Sequence, residues 1–392
     1  MIDYNKFLNP EAYNIKPSGI RKFFDITETM DDVISLGVGE PDFNTPWHIR
    51  SAGIASLDNG KTRYSANRGM ESLRNEISLF MKRKYQLEYS AKTDVLVTVG
   101  GSEAIDLAIR SIISPGDEVL IPQPSFVCYE PIVKLAGGVP VIIELKAEDD
   151  FVLKPEQIAN NVSDKTKLLI LPYPGNPTGA IMTKEQLLAI KNEIIKNDLF
   201  VLSDEIYAEL TYNKERHHSI AEINDLKERT VVISGFSKTY SMTGWRLGFA
   251  VGPKEIINVM TKVHQYAIMC APTTSQFAAI EALKNGDQDI VNMKQEYDNR
   301  RRLNVNGFRE IGLECFEPKG AFYVFPSIKS TGLKSEEFCE KLLYSKKVAV
   351  VPGNAFGGGG EGFIRASYCY SVSHIKEAIS RIGEFIKELK NK

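Results

Sequence analysis

Seven short apolar runs constrain the fold more than any other feature of this chain. They read "DVLVTV" (94–99), "EVLIP" (118–122), "PVIIEL" (140–145), "KLLILPYP" (167–174), "LFVLSDE" (199–205), "TVVISGF" (230–236) and "LGFAVG" (247–252). Each is too short for a helix, rich in β-branched residues, and apolar at consecutive rather than alternate positions, as in a strand buried on both faces. Between several of them lie segments with helical spacing: "GSEAIDLAIRSII" (101–113), "YEPIVKLAG" (129–137) and "TKEQLLAIKNEIIKN" (183–197). Strands alternating with helices predict an α/β fold, with a mostly parallel sheet flanked by helices over about residues 46–285. A different texture follows. "DIVNMKQEYDNRRRLNVNGFREIG" (289–312) is a long polar amphipathic helix. After it come "GAFYVFPSI" (320–328), the helical "KSEEFCEKLLYSKK" (334–347), "GFIRASY" (362–368) and a terminal helix from about Ser373. These predict a smaller α+β domain formed by 286–392 with the N-terminal arm, 1–45. The glycine run 357–360 reads as a flexible turn.

Several function classes are disfavoured. A formal net charge of −2 over 392 residues provides no basic field for nucleic acid or an anionic membrane. No apolar run approaches the roughly 20 residues that span a bilayer, and no signal peptide is visible. The five cysteines (Cys128, Cys270, Cys315, Cys339 and Cys369) form no CxxC pair and suit a reduced cytoplasm. The five histidines lack ligand spacing, so no metal site is expected.

In open parallel sheets, ligands bind outside the carboxyl ends of strands. Few reactive residues occupy such places here. "SGFSKTYSMTGWRLG" (234–248) places Lys238 just past a strand, either as a solvated lysine or as an amine held in a pocket. "VGGSEAIDLAI" (99–109) is a strand end followed by a helix start, either a plain turn or a cradle for a single phosphate. "LFVLSDEIYAEL" ends a strand in Asp204 and Glu205, with Tyr207 behind; a carboxylate there needs a positive partner. Asn176 sits in "PGNPTG", a turn, and Arg365 lies in an apolar strand, where it wants a carboxylate from the protein or from a ligand. Taken together, the set matches pyridoxal 5′-phosphate, whose recurrent protein contacts are a lysine Schiff base and a carboxylate at the pyridinium nitrogen.

Nearly the whole chain resembles the class I/II aminotransferases, the fold-type I pyridoxal-phosphate enzymes. The motifs that carry the resemblance are "LGVGEPDFNTP", "YSANRGMESLR", "VGGSEAIDLAI", "PGDEVLIPQPSF", "PGNPTG", "SDEIYAEL", "SKTYSMTGWRLG", "GAFYVFP", "VVPGNAFG" and "IRASY", in the family's order. Its branch holds aspartate, aromatic and N-acetyl-diaminopimelate aminotransferases. The resemblance implies that Lys238 forms the Schiff base and moves the substrate proton. It implies that Asp204 pairs with the pyridinium nitrogen, and that Asn176 and Tyr207 hydrogen-bond the phenolic oxygen. Gly101, Ser102, Ser237 and Arg246 would hold the phosphate, and Phe126 would stack on the ring. Arg365, with Asn176 and the Gly39 backbone, would grip the substrate carboxylate. Tyr64 would reach the phosphate of a neighbouring subunit in a homodimer. The expected reaction is ping-pong amino transfer from an L-amino acid to a 2-oxo acid such as 2-oxoglutarate. A C–S β-lyase on the same fold is the alternative, and a binding protein without catalysis a remote one. Two positions depart from aspartate-preferring relatives: the arm reads "KPSGI", with Ile20, and Ser102 follows Gly101 where those relatives carry lysine. Both remove polar help for a side-chain carboxylate, leaving an apolar, aromatic or longer donor, with Phe126 and Phe43 expected in the pocket.

Overall fold

The computed structural model describes residues 2–17, 19, 30–212 and 216–391. Strand β1 (Ile34–Ser35) pairs in parallel with β10 (Val348–Ala349), so the chain just after the arm joins the C-terminal part. The central sheet takes seven strands: β2 (Val95–Thr98), β3 (Glu118–Gln123), β4 (Val139–Glu144), β5 (Thr166–Leu171), β6 (Phe200–Asp204), β7 (Thr230–Gly235) and β8 (Gly248–Val251). Their spatial order is β2-β8-β7-β6-β5-β3-β4. All neighbours run parallel except β8, which is antiparallel to both β2 and β7. The reason is local. Residues 236–247 hold one helical turn (Phe236–Thr239) and one 3₁₀ turn (Thr243–Trp245), too little to cross the sheet, so the chain doubles back.

Why the runs are apolar at every position is visible in the packing. In β2, Leu96 points into one core cluster while Val95 and Val97 point into another. In β7, Val231 and Ile233 face one side and Val232 the other. Helices Gly100–Ile112 and Lys254–Ala267 cover the first face; Glu71–Tyr85 and Thr273–Asn285 cover part of the second. Each fully buried Val or Leu contributes on the order of 1.5–3 kcal/mol.

The C-terminal part is built on the 24-residue helix Asp287–Glu310 and a three-stranded antiparallel sheet, β11 (Val351–Pro352), β12 (Ile364–Ser367) and β9 (Tyr323–Val324). The final helix, Val372–Lys390, closes its core. The glycine run holds a 3₁₀ turn, Gly358–Gly360, with Gly360 buried. Gly357 has φ +112°, and a Cβ there would overlap the Gln123 side chain. Among the described residues no helix is long and apolar enough to cross a membrane, no disulfide joins the five cysteines, and no cluster of His, Cys, Asp or Glu could hold a metal ion.

Candidate active site

The topology brings the reactive residues to one edge of the sheet. The carboxyl ends of β5, β6 and β7 lead into Asn176, Asp204 and Lys238 respectively. Because β8 runs the other way, its first residue, Gly248, reaches the same edge and delivers Arg246. There the structure holds a cavity of about 290 Å³. Its walls include Gly39, Gly101, Ser102, Phe126, Asn176, Asp204, Tyr207, Ser237, Lys238, Arg246 and Arg365. Of the residues expected in the site, Tyr64 lies outside its own chain's cavity and is 82% exposed. Phe43 is not in the cavity either. It packs edge-on against Tyr297 (5.2 Å) and under Arg300, which salt-bridges its neighbour Asp42, and so it serves the helix Asp287–Glu310 rather than the pocket. Ile20 falls outside the described residues.

The charges in the cavity are unbalanced within the protein. Asp204 is buried, and its carboxylate accepts hydrogen bonds from the Tyr129 hydroxyl (2.7 Å) and the Ile206 amide (3.2 Å). No described cation pairs with it, and burial raises its pKa. Its neighbour Glu205 does have a partner: His217 Nε2 lies 2.9 Å away, and Ser203 and Ser219 donate to it. Arg365 is 3% exposed and has no acidic partner among the described residues. Its guanidinium donates to Asn176 Oδ1 (2.9 Å) and the Gly37 carbonyl (2.5 Å), and its Nε is unpartnered. It is sandwiched between the rings of Tyr323 (4.5 Å) and Phe356 (4.8 Å). A buried cation and a buried anion without counter-charges cost free energy unless a ligand brings both opposite charges.

Lys238 lines the same cavity. Its ammonium donates to the Gly39 carbonyl at 2.6 Å and lies over the Phe322 ring. Burial is the largest influence on its pKa, which falls to about 8, so about a tenth of the amine is neutral and nucleophilic at pH 7, far more than for an ordinary lysine. The cavity is also lined by the N-terminal residues Gly101 and Ser102 of a helix and by Arg246. Helix Gly100–Ile112 opens with its N–H groups free, and Arg246 lies across that end. Gly100 has φ +81°, and a Cβ on it would stand 3.0 Å from the Arg246 guanidinium. Gly248 is equally constrained, since a Cβ there would overlap the Gly100–Gly101 backbone.

Two residues of the site were not singled out by the sequence. Tyr129 anchors Asp204. Tyr323 places its hydroxyl 2.8 Å from that of Tyr207 and supports Arg365 with its ring. The signal for Tyr323 lay in "GAFYVFP", where a tyrosine beside the arginine-bearing strand is indistinguishable from core without the pairing of β9 with β12.

The geometry agrees with known proteins. Residues 31–382 match the family Aminotransferase class I and II. The chain is 44% identical over 378 residues to the aspartate aminotransferase of Pyrococcus abyssi, covering 96% of this chain and 97% of that one. It is 42% identical over 378 residues to aromatic-amino-acid aminotransferase 2 of Thermococcus litoralis, with coverage of 96% and 97%. Among solved structures, the aspartate aminotransferase of Thermus thermophilus with maleate superposes with a TM-score of 0.92 at 34% identity, covering 96% of this chain and 99% of that one. The chain therefore belongs to the class I and II aminotransferases, a pyridoxal-phosphate-dependent enzyme family of fold type I.

Proposed function

We propose that this chain binds pyridoxal 5′-phosphate in the cavity and uses it to move an amino group from an L-amino acid to a 2-oxo acid, with 2-oxoglutarate as acceptor. The observation that carries the reading is the pair of buried charges, Asp204 and Arg365, without counter-charges among the described residues and facing one cavity that the low-pKa Lys238 also lines. The residues present fit the cofactor. Its pyridinium nitrogen supplies the cation that Asp204 lacks, and its phosphate suits the N-terminus of helix Gly100–Ile112 with Ser102, Ser237 and Arg246. When bound, the cofactor supplies an aldehyde that condenses with amines and a ring that draws electrons from the substrate Cα–H bond.

The protein's own residues do the rest. Asp204, held by Tyr129, keeps a proton on the ring nitrogen. Tyr207 and Asn176 would donate to the cofactor's phenolic oxygen, and the Tyr323 hydroxyl, 2.8 Å from that of Tyr207, fixes the orientation of Tyr207. Phe126, which lines the cavity, would stack on the ring. Arg365 takes the substrate α-carboxylate, with Asn176 and Gly39 alongside, replacing a missing counter-ion and fixing the Cα–H direction. Lys238 would be the amine that holds the cofactor's aldehyde, and its pKa of about 8 suits it to move the substrate Cα proton as a general base.

We further propose that residues 46–285 form the cofactor-binding domain and that 1–45 with 286–392 form the smaller one. The active unit is a homodimer in which Tyr64 completes the partner's phosphate site. Support comes from a surface in which Tyr64 (82% exposed), Tyr266 (89% exposed), Trp47 and Met269 stand in water. Five unpaired cysteines support a cytoplasmic location. The test is a panel of amino acids added to cofactor-loaded enzyme. A donor converts the cofactor absorbance to that of the pyridoxamine form, and 2-oxoglutarate restores it. Release of pyruvate from cystathionine without an oxo acid would instead mark a β-lyase.

A further inference from the structure

Residues 61–70, which carry Tyr64, form neither helix nor strand, yet their backbone is tied down on both sides of that tyrosine. The Thr273 hydroxyl donates to the Arg63 carbonyl at 2.8 Å. The Gln276 side-chain amide donates to Ser65 Oγ at 2.8 Å and to the Ala271 carbonyl at 2.9 Å, and its oxygen accepts from the Met70 amide at 2.7 Å. Gln276 is 0% exposed, so this one buried amide, with both donors and its acceptor engaged, clamps the loop to the start of helix Thr273–Asn285. Farther along, Asn67 Nδ2 donates to the Met269 carbonyl at 2.8 Å, and the Arg68 carbonyl accepts from the Val97 amide of β2 at 3.0 Å. A loop without a ladder of its own ordinarily keeps much of its backbone freedom. Here the backbone is fixed beneath a ring that stands in water, the arrangement of a side chain preorganised for a contact outside its own chain. Neither Thr273 nor Gln276 lines the cofactor cavity.

We propose that Gln276 and Thr273 are positioning residues that act in trans: they hold the loop of their own chain so that Tyr64 is presented, already ordered, to the phosphate site of the neighbouring subunit. The proposal rests on the reading that Tyr64 completes the neighbour's site. Without the Gln276 amide, the Met70 N–H and the Ala271 carbonyl lose their partner and must find water, which frees the loop. The loop then has to be ordered each time the cofactor binds, and fixing even one residue's backbone costs about fivefold or more in Kd. The damage falls on the neighbour's cofactor site, while the Lys238 site of the altered chain stays whole.

The test titrates pyridoxal 5′-phosphate and follows the absorbance of its lysine-bound form. Gln276→Met chains alone should bind about fivefold or more weaker than wild type. They are then exchanged with an excess of Lys238→Ala chains, whose Tyr64 and Gln276 are intact. Only the Gln276→Met chains can give the lysine-bound signal, and in the mixed dimers it should titrate at the wild-type Kd. Thr273→Val, a substitution at a half-buried helix start, should behave in the same way and carries the comparison if Gln276→Met does not fold; Thr273→Ser, which keeps the hydroxyl, should match wild type. In a Tyr64→Ala background, Gln276→Met should weaken binding by less than about twofold further, because the residue it positions is gone. A Kd that stays weak after verified exchange, full additivity with Tyr64→Ala, or wild-type binding by both Gln276→Met and Thr273→Val overturns the positioning role. An unchanged Kd in Tyr64→Ala itself is the separate result that sinks the shared-site reading.

Discussion

Replacing Asp204 with Asn should weaken cofactor binding while making the cofactor-free protein no less stable. Asp204 is 7% exposed, and among the described residues its carboxylate has two hydrogen-bond donors and no cation. Without the cofactor it is therefore a buried charge held at a cost. Its pKa is raised by burial, so the folded state binds its proton more tightly than the unfolded chain does. For such an acid the folded state is favoured at low pH, and that advantage is lost as pH rises from about 4 through the raised value. Cofactor-free wild type should thus lose stability across that window, and the Asn variant should lose less. With cofactor bound, the wild type gains a charge-assisted bond that Asn cannot make at full strength, worth about 1.5–3 kcal/mol, or roughly 10- to 150-fold in Kd. At a cofactor concentration 1,000 times the wild-type Kd, ligand stabilisation is about 4.1 kcal/mol; a 100-fold weaker Kd leaves about 1.4. Melting curves with and without pyridoxal 5′-phosphate measure both effects. If the variant loses stability without cofactor and keeps the full cofactor-induced rise in Tm, the argument from an uncompensated buried anion is refuted.

Other outcomes follow from the same geometry. Arg365→Gln should raise KM for every amino donor by roughly 10- to 100-fold, reflecting loss of a charged hydrogen bond, with cofactor absorbance unchanged; a donor-specific effect in the panel would contradict an α-carboxylate role. Mixing Lys238→Ala chains with Tyr64→Ala chains, each impaired alone, should restore part of the activity after subunit exchange; no recovery would count against a site completed by Tyr64 of the neighbour. Aspartate should not be the best donor, because the cavity's described cations, Lys238, Arg246 and Arg365, are each committed elsewhere and Ser102 brings no charge. A tenfold or greater advantage in kcat/KM for aspartate over phenylalanine, leucine, methionine and alanine would show that another residue supplies it.

The sheet was legible because its strands are apolar on both faces, a pattern that short helices do not produce. The reversal of β8 was less visible, since it depends on how little helix residues 236–247 contain. Lys238, Asp204, Asn176, Tyr207, Arg246 and Arg365 were readable from their places just after strands or in motifs, and the structure gathers them around one cavity. What the sequence could not reveal is pairing. It asked for a cation beside both Asp204 and Glu205, but only the fold shows that Glu205 has His217 and Asp204 has none. Nothing in the sequence separates Tyr129 and Tyr323 from core aromatics, and only the fold brings their hydroxyls to Asp204 and Tyr207. Phe43 failed as a pocket residue because its neighbour Asp42 is drawn to Arg300, which turns the ring toward Tyr297.

The central claim is that the half-buried amine of Lys238 holds the cofactor. Reducing the cofactor-loaded enzyme with borohydride, digesting it and mapping the pyridoxyl group by mass spectrometry tests this directly. The account predicts the label on the peptide containing Lys238 and on no other lysine; a label on another lysine, or none in an enzyme shown to carry the cofactor, would contradict it.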